Sequence, residues 1–269
     1  MPVKSEWLIS HDRSGFLAYP EKVRTPLPSL LVVHEVWGVD AHIEDITRRI
    51  AASGYVAYAP DLLCENGERP AKVSNARITL VQEFLNTAPP TIWMHPAARE
   101  AELDKQPEPR RTQIRETYQH LFTLPAKLPT LVPVLRDALR YVQERPESRG
   151  QKTGCVGFCM GGGLTALLAC EEPELSAAAI FYGSSPDPAR AKDIACPVIG
   201  FYAGNDQRIN AGVPAFTEAM KSHGNPFEVH MYDGAYHAFF NDTGGRYDVN
   251  AARDAWARLL TFFGHNLVT

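Results

Sequence analysis

The stretch Gly157-Phe158-Cys159-Met160-Gly161-Gly162-Gly163 holds the strongest chemical signal in the chain. It follows an apolar run, Thr153–Phe158, that reads as a strand, and it opens a segment, Met160–Cys170, that reads as a helix. A reactive side chain between two glycines at a strand-to-helix turn is the sequence form of a nucleophile elbow. Gly157 and Gly161 lack a Cβ, so the chain can turn sharply and leave Cys159 projecting. The following helix aims its positive end at the sulfur and favours a thiolate there. The rival readings are a glycine-rich packing turn and a phosphate-binding turn. Phosphate loops add Lys-Ser/Thr or a spaced GxGxxG, and neither is present.

A cysteine nucleophile needs a base, and the base needs an orienting acid. In α/β-hydrolases these follow in the order nucleophile, acid, histidine. Asp206, in Gly204-Asn205-Asp206-Gln207, comes just after the strand-like Val198–Tyr202. His237, in Tyr236-His237-Ala238-Phe239, comes just after the strand-like Phe227–Tyr232. Loops at the carboxyl ends of parallel strands share one crevice, so Cys159, His237 and Asp206 can meet. The strand-like Leu30–His34 runs into Glu35-Val36-Trp37-Gly38. The loop after that strand supplies one oxyanion-hole N–H in this kind of fold. Val36 N–H is expected there, paired with Met160 N–H directly after the nucleophile. Glu35 is a carboxylate at the end of a buried strand, costly without a partner. Its alternatives are an ion pair with Arg or Lys, or contact with Cys159 or His237. Trp37, Phe158, Phe239 and Trp93 are the expected aromatic walls of a substrate pocket.

The elements that must position these residues read as α/β. Short buried strands alternate with helical segments at Asp40–Ser53, Leu128–Val142, Val213–His223 and Val249–Asn266. That alternation predicts one mostly parallel central sheet with helices on both faces. Trp7–Ser10 and Phe16–Tyr19 read as an added antiparallel hairpin. Residues 1–269 read as a single domain with no internal repeat. Between Pro89 and Pro133, eight of 45 residues are proline, well above the background of about 5%. Residues 85–130 are therefore either a solvated connection or a cap-like insertion over the pocket.

Composition narrows the field further. The chain of 269 residues is 45% hydrophobic and 22% charged, with a net charge of −4. That excludes wholesale disorder and argues against a nucleic-acid surface. The N-terminus shows no apolar signal region, and no run of about 18 apolar residues could span a membrane. A cytoplasmic location is expected. The five cysteines, Cys64, Cys155, Cys159, Cys170 and Cys196, form no CxxC pair and show no metal-ligand spacing, so no metal is expected.

At His34-Glu35-Val36-Trp37-Gly38, Ala59-Pro60-Asp61-Leu62, the Cys159 elbow, Gly204-Asn205-Asp206 and Tyr236-His237-Ala238-Phe239, the sequence resembles the dienelactone hydrolase family (carboxymethylenebutenolidases). The resemblance spans nearly the whole chain apart from the proline-rich insertion. It implies an α/β-hydrolase fold and a Cys159–His237–Asp206 triad, with Glu35 contacting the thiol and helping to generate the thiolate. It implies hydrolysis of a small-molecule ester or lactone without a cofactor. One position departs: four residues after the histidine the family carries a substrate-binding arginine, and here stands Asn241. Two other functions use the same residues differently, a redox-active thiol protein and a catalytically silent binding scaffold. The sequence does not choose between a monomer and a weak homodimer.

Overall fold

The structure, a computed structural model, describes residues 2–9, 14–22, 24–89, 92 and 95–268. Among these, eight strands join in one sheet. They are β1 (Val3–Ile9), β2 (Ser14–Pro20), β3 (Ser29–Val33), β4 (Val56–Pro60), β5 (Thr153–Phe158), β6 (Ala177–Phe181), β7 (Val198–Ala203) and β8 (Phe227–Tyr232). Their spatial order is β1-β2-β4-β3-β5-β6-β7-β8. The first two pair antiparallel, as the hairpin pattern predicts, and β2 pairs antiparallel with β4. Every later pairing is parallel.

The strands from β2 to β7 are buried along their length because helices cover both faces. Successive strand residues point to opposite faces, and the core divides accordingly. Leu31, Val33, Cys155 and Ile180 meet the helices α5 (Leu128–Glu144), α6 (Met160–Glu171) and α8 (Val213–Ser222), the last preceded by the short α7 (Gln207–Asn210). Leu30, Val32, Val156 and Phe158 meet α1 (Ala41–Ala52) and α9 (Val249–Phe263). Asp40 caps α1 by accepting from Ile43 N–H at 3.1 Å. Pro129 sits in the first turn of α5, and Pro133 lies inside that helix.

The segment between β4 and α5, which includes residues 85–130, carries three further helices, α2 (Asn75–Thr87), α3 (Pro96–Leu103) and α4 (Arg110–Thr123). α2 begins at Asn75, ahead of the expected boundary at 85 and of Pro89, where the proline-rich composition begins. The prolines mark where α2 ends, because a proline lacks the N–H that would continue a helix. α2 and α4 are tied by Arg77, which donates to Thr117 Oγ1 at 3.1 Å and to the Gln113 carbonyl at 2.9 Å. Val81, Phe84, Leu85, Leu103 and Ile114 form a separate small core there. The charged run pairs with itself at the surface, as in Arg115 with Glu100 and Asp104. Among the described residues, no helix is long and apolar enough to cross a membrane.

Candidate active site

Cys159 stands between the end of β5 and the start of α6, with φ +54° and ψ −113°. That backbone is strained for a residue with a Cβ, a conformation kept only where the surroundings enforce it. The surroundings here are glycines. A Cβ on Gly157 would collide with the Gly161 carbonyl, and one on Gly161 would collide with the carbonyl oxygens of Val33 and His34. The helix can thus start hard against β3 and β5. Cys159 N–H donates to the Phe181 carbonyl at 3.0 Å, fixing the elbow to β6. The side chain is half-buried, whereas Cys155, Cys170 and Cys196 are buried. Burial pushes the Cys155 and Cys196 thiols up to about 12. Cys155 Sγ is engaged with Thr165 Oγ1 at 3.2 Å.

Asp206 and His237 arrive from the loops after β7 and β8, as their positions in the sequence require. The His237 Nδ1 and Asp206 Oδ2 atoms form a short hydrogen bond. The imidazole also interacts with the Cys159 sulfur, for which the other ring nitrogen is the one not engaged with Asp206. Burial lowers the His237 pKa, but the charge of Cys159 and the bond to Asp206 outweigh it and push it up to about 10. Burial likewise works to raise the Asp206 carboxyl, and the bond to His237 brings it below its ordinary value. A cysteine, an imidazole and an oriented carboxylate thus lie in sequence, an arrangement able to pass a proton from thiol to imidazole.

Glu35 is buried at 3% exposure. Its Oε2 accepts from Asn241 Nδ2 at 2.8 Å, and burial raises its pKa. Its partner is therefore an amide rather than the Arg or Lys that an ion pair would need. The remaining oxygen, Oε1, is buried with no hydrogen-bond partner among the described residues. Beside this carboxylate lies Tyr182, fully buried, at φ +38° just past β6. Its ring packs 5.1 Å from the His237 ring. Tyr182 was hidden in the sequence because it completes an apolar strand-like run, and the Gly183 that follows is the one local signal of a turn.

Met160 is the first residue of α6, where helix N–H groups have no intrahelical acceptor. Val36 follows β3 and is buried at 5%. The loop that carries it is anchored by His34. The His34 Nε2 accepts from Leu62 N–H at 3.0 Å, while Nδ1 bonds the Glu35 carbonyl. Trp37 joins this loop to the insertion, its ring 5.9 Å from that of Phe122. It also edges a cleft of about 490 Å³ with Asp40, Arg69, Gln82 and Asn241. Neither Cys159 nor His237 lines that cleft.

Two expected pocket walls require correction. Phe158 and Phe239 are fully buried at 0% exposure. Phe158 stacks with Phe240 at 5.6 Å and lies against Phe181 at 4.7 Å, and Phe239 packs on Tyr182 at 5.4 Å. The pleat explains Phe158: alternate residues of β5 face opposite sides of the sheet, and this one faces the α1/α9 layer. Both rings support the site from beneath. Trp93 and the neighbouring Met94 lie outside the described residues. Among the described residues, no group of three or more His, Cys, Asp or Glu side chains could hold a metal ion.

Comparison with known proteins follows the same lines. The sequence model of the dienelactone hydrolase family matches residues 14–267. A candidate carboxymethylenebutenolidase from Saccharolobus solfataricus is 36% identical over 260 residues, covering 94% of this chain and 96% of that protein. A candidate carboxymethylenebutenolidase from Escherichia coli is 30% identical, covering 93% and 81%. The crystal structure of a candidate dienelactone hydrolase from Klebsiella pneumoniae has the same fold, with a TM-score of 0.69 at 24% identity over 98% of this chain and 99% of the other. The chain belongs to the dienelactone hydrolase family and is a carboxylic ester hydrolase.

Proposed function

We propose that the protein hydrolyses a small-molecule carboxylic ester or lactone through a thioester formed on Cys159. The observation that carries this reading is the strained elbow that presents Cys159 to a histidine already paired with a carboxylate. His237 takes the thiol proton, and Asp206 holds the ring and stabilises the imidazolium. The thiolate attacks the carbonyl carbon, and the developing oxyanion is held by the N–H groups of Val36 and Met160. One such donor is worth about 3 kcal/mol in a transition state. The C–O bond then breaks, and His237 returns its proton to the leaving alkoxide. In a lactone that alkoxide stays tethered to the acyl group. Water, deprotonated by His237, next attacks the thioester and releases the acid and the thiol. Glu35, two residues past β3, the strand next to that of the nucleophile, assists formation of the thiolate. No step requires a cofactor.

The insertion from α2 to α4 serves as a cap, with Trp37 as its contact with the site. Five free thiols accord with a reducing compartment such as the cytoplasm. Cys155, engaged with Thr165 inside β5, is a poor resolving thiol, which weighs against a redox role. The test is Cys159→Ala with p-nitrophenyl acetate. Loss of turnover in a variant that melts like wild type supports the mechanism. Turnover at the wild-type rate removes it.

A further inference from the structure

Glu35, Cys159 and Tyr182 follow the carboxyl ends of three adjacent strands, β3, β5 and β6. Val33 of β3 pairs with Gly157 of β5, and Phe158 of β5 pairs with Phe181 of β6. Two residues beyond the first pair come Glu35 and Cys159. One residue beyond the second come Cys159 and Tyr182. Within this row two buried atoms, Glu35 Oε1 and Tyr182 Oη, make no hydrogen bond of ordinary geometry among the described residues, yet Tyr182 lies close enough to Glu35 to interact with it. A carboxylate oxygen can only accept, and a phenol can donate. Leaving either unpaired carries the full desolvation penalty of that group.

Tyr182 is built to be a donor. Burial first, and then the charges of Glu35 and Cys159, raise its pKa well above the ordinary phenol range, so its proton stays on. Its ring is held by His237 at 5.1 Å and by Phe239 at 5.4 Å. Its backbone is held by a bond from its N–H to the Phe201 carbonyl at 2.8 Å.

We propose that Tyr182 is a positioning residue: its phenol O–H engages Glu35 Oε1 while Asn241 holds Oε2, so that the two donors fix the carboxylate in one orientation beside Cys159. A single donor would leave Glu35 free to turn out of that orientation, and its assistance to thiolate formation would be lost with it. This inference rests on Cys159 being the nucleophile.

The experiment is a double-mutant cycle of Tyr182→Phe with Glu35→Gln. It is read both by p-nitrophenyl acetate hydrolysis and by the rate at which iodoacetamide alkylates the Cys159 peptide, followed by mass spectrometry. In the wild-type background, Tyr182→Phe should lower kcat and the alkylation rate about tenfold, the weight of one hydrogen bond to a charged group, with KM changed by less than about twofold. In the Glu35→Gln background the same substitution should change either rate by less than about twofold. An equal effect in both backgrounds overturns the proposal, because Tyr182 would then act without Glu35. If Tyr182→Phe lowers the folded fraction, fluorotyrosine at position 182 keeps the ring and strengthens the donor. It should raise the alkylation rate, and an unchanged or slower rate overturns the proposal. Failure of the underlying mechanism is read separately, as full ester turnover by Cys159→Ala.

Discussion

Asn241 donates its side-chain N–H to Glu35 Oε2 at 2.8 Å, a buried bond between residues 206 positions apart. An arginine at this position would neutralise the carboxylate. The amide offers a hydrogen bond without a charge, and burial keeps the Glu35 pKa raised. Removing that donor leaves a buried carboxylate oxygen unpaired. Asn241→Leu is therefore expected to destabilise the fold by about 1–3 kcal/mol. Adding Glu35→Gln should return part of that loss, because a neutral amide is cheaper to bury than a charge. Urea denaturation of the two variants checks both statements, and no recovery in the double variant would contradict the account.

The proton on His237 depends on its neighbour. The charge of Cys159 is the foremost influence raising this imidazole to about 10 against burial. Cys159→Ala removes an anion from beside an imidazolium, which disfavours the charged form. The His237 midpoint should therefore fall toward the ordinary value of about 6.5. Following the His237 ring protons by NMR from pH 5 to 10.5 reads this directly. An unchanged midpoint would show that Asp206 alone sets it.

Gly161 illustrates how much of the site was legible in the chain. The expected elbow, triad order and most strand positions follow from glycine spacing and apolar runs, and β5 and β8 have the expected bounds. What stayed hidden depends on burial and distance rather than on local pattern. Phe158 looks like a pocket wall beside the nucleophile, but the pleat turns it into the core. Tyr182 and Asn241 meet Glu35 only through the fold, and α2 begins before the composition changes.

The same glycine gives a steric prediction. A Cβ at Gly161 would strike the Val33 and His34 carbonyls, both backbone atoms that cannot swing aside. Gly161→Ala should push α6 off β3, destabilise the protein by about 3 kcal/mol, and abolish ester turnover even in the folded fraction. Chemical denaturation and an active-site titration measure the two effects. A folded variant with normal burst amplitude would refute the packing argument.

His34 should control acid stability. Burial lowers its pKa, partly offset by Asp61, and its Nε2 must stay unprotonated to accept from Leu62 N–H. Because the folded pKa lies below the unfolded value of about 6.5, the unfolded chain takes up a proton first as pH falls. The contribution is present above about pH 6.5 and is lost as pH drops toward the folded pKa, at up to about 1.4 kcal/mol per pH unit. His34→Gln lacks this proton uptake. Between pH 7.5 and 5.5 the wild type should lose more stability than the variant, because only its unfolded chain gains a proton at position 34 over that range. Equal losses in urea titrations at the two pH values would exclude His34 as the source.

Substrate charge is the property that the Asn241 departure puts most directly to test. With its amide committed to Glu35, Asn241 has one fewer donor to offer a substrate carboxylate. Arg246 is half-buried in the loop before α9; burial lowers its pKa, while Asp206 and Cys159 act to raise it. A cation within electrostatic range of the sulfur can hold an anionic acyl group without the usual arginine. If it does, Arg246→Gln should raise KM for a carboxylate-bearing lactone about tenfold, the weight of roughly 1.4 kcal/mol. KM for a neutral p-nitrophenyl ester should move much less, because uniform binding of the charge is what the variant loses. The comparison needs both substrates in both proteins, since a general disturbance of the site would lower kcat for each. Equal KM changes for the two substrates would mean that Arg246 supports the loop and leaves substrate charge unread.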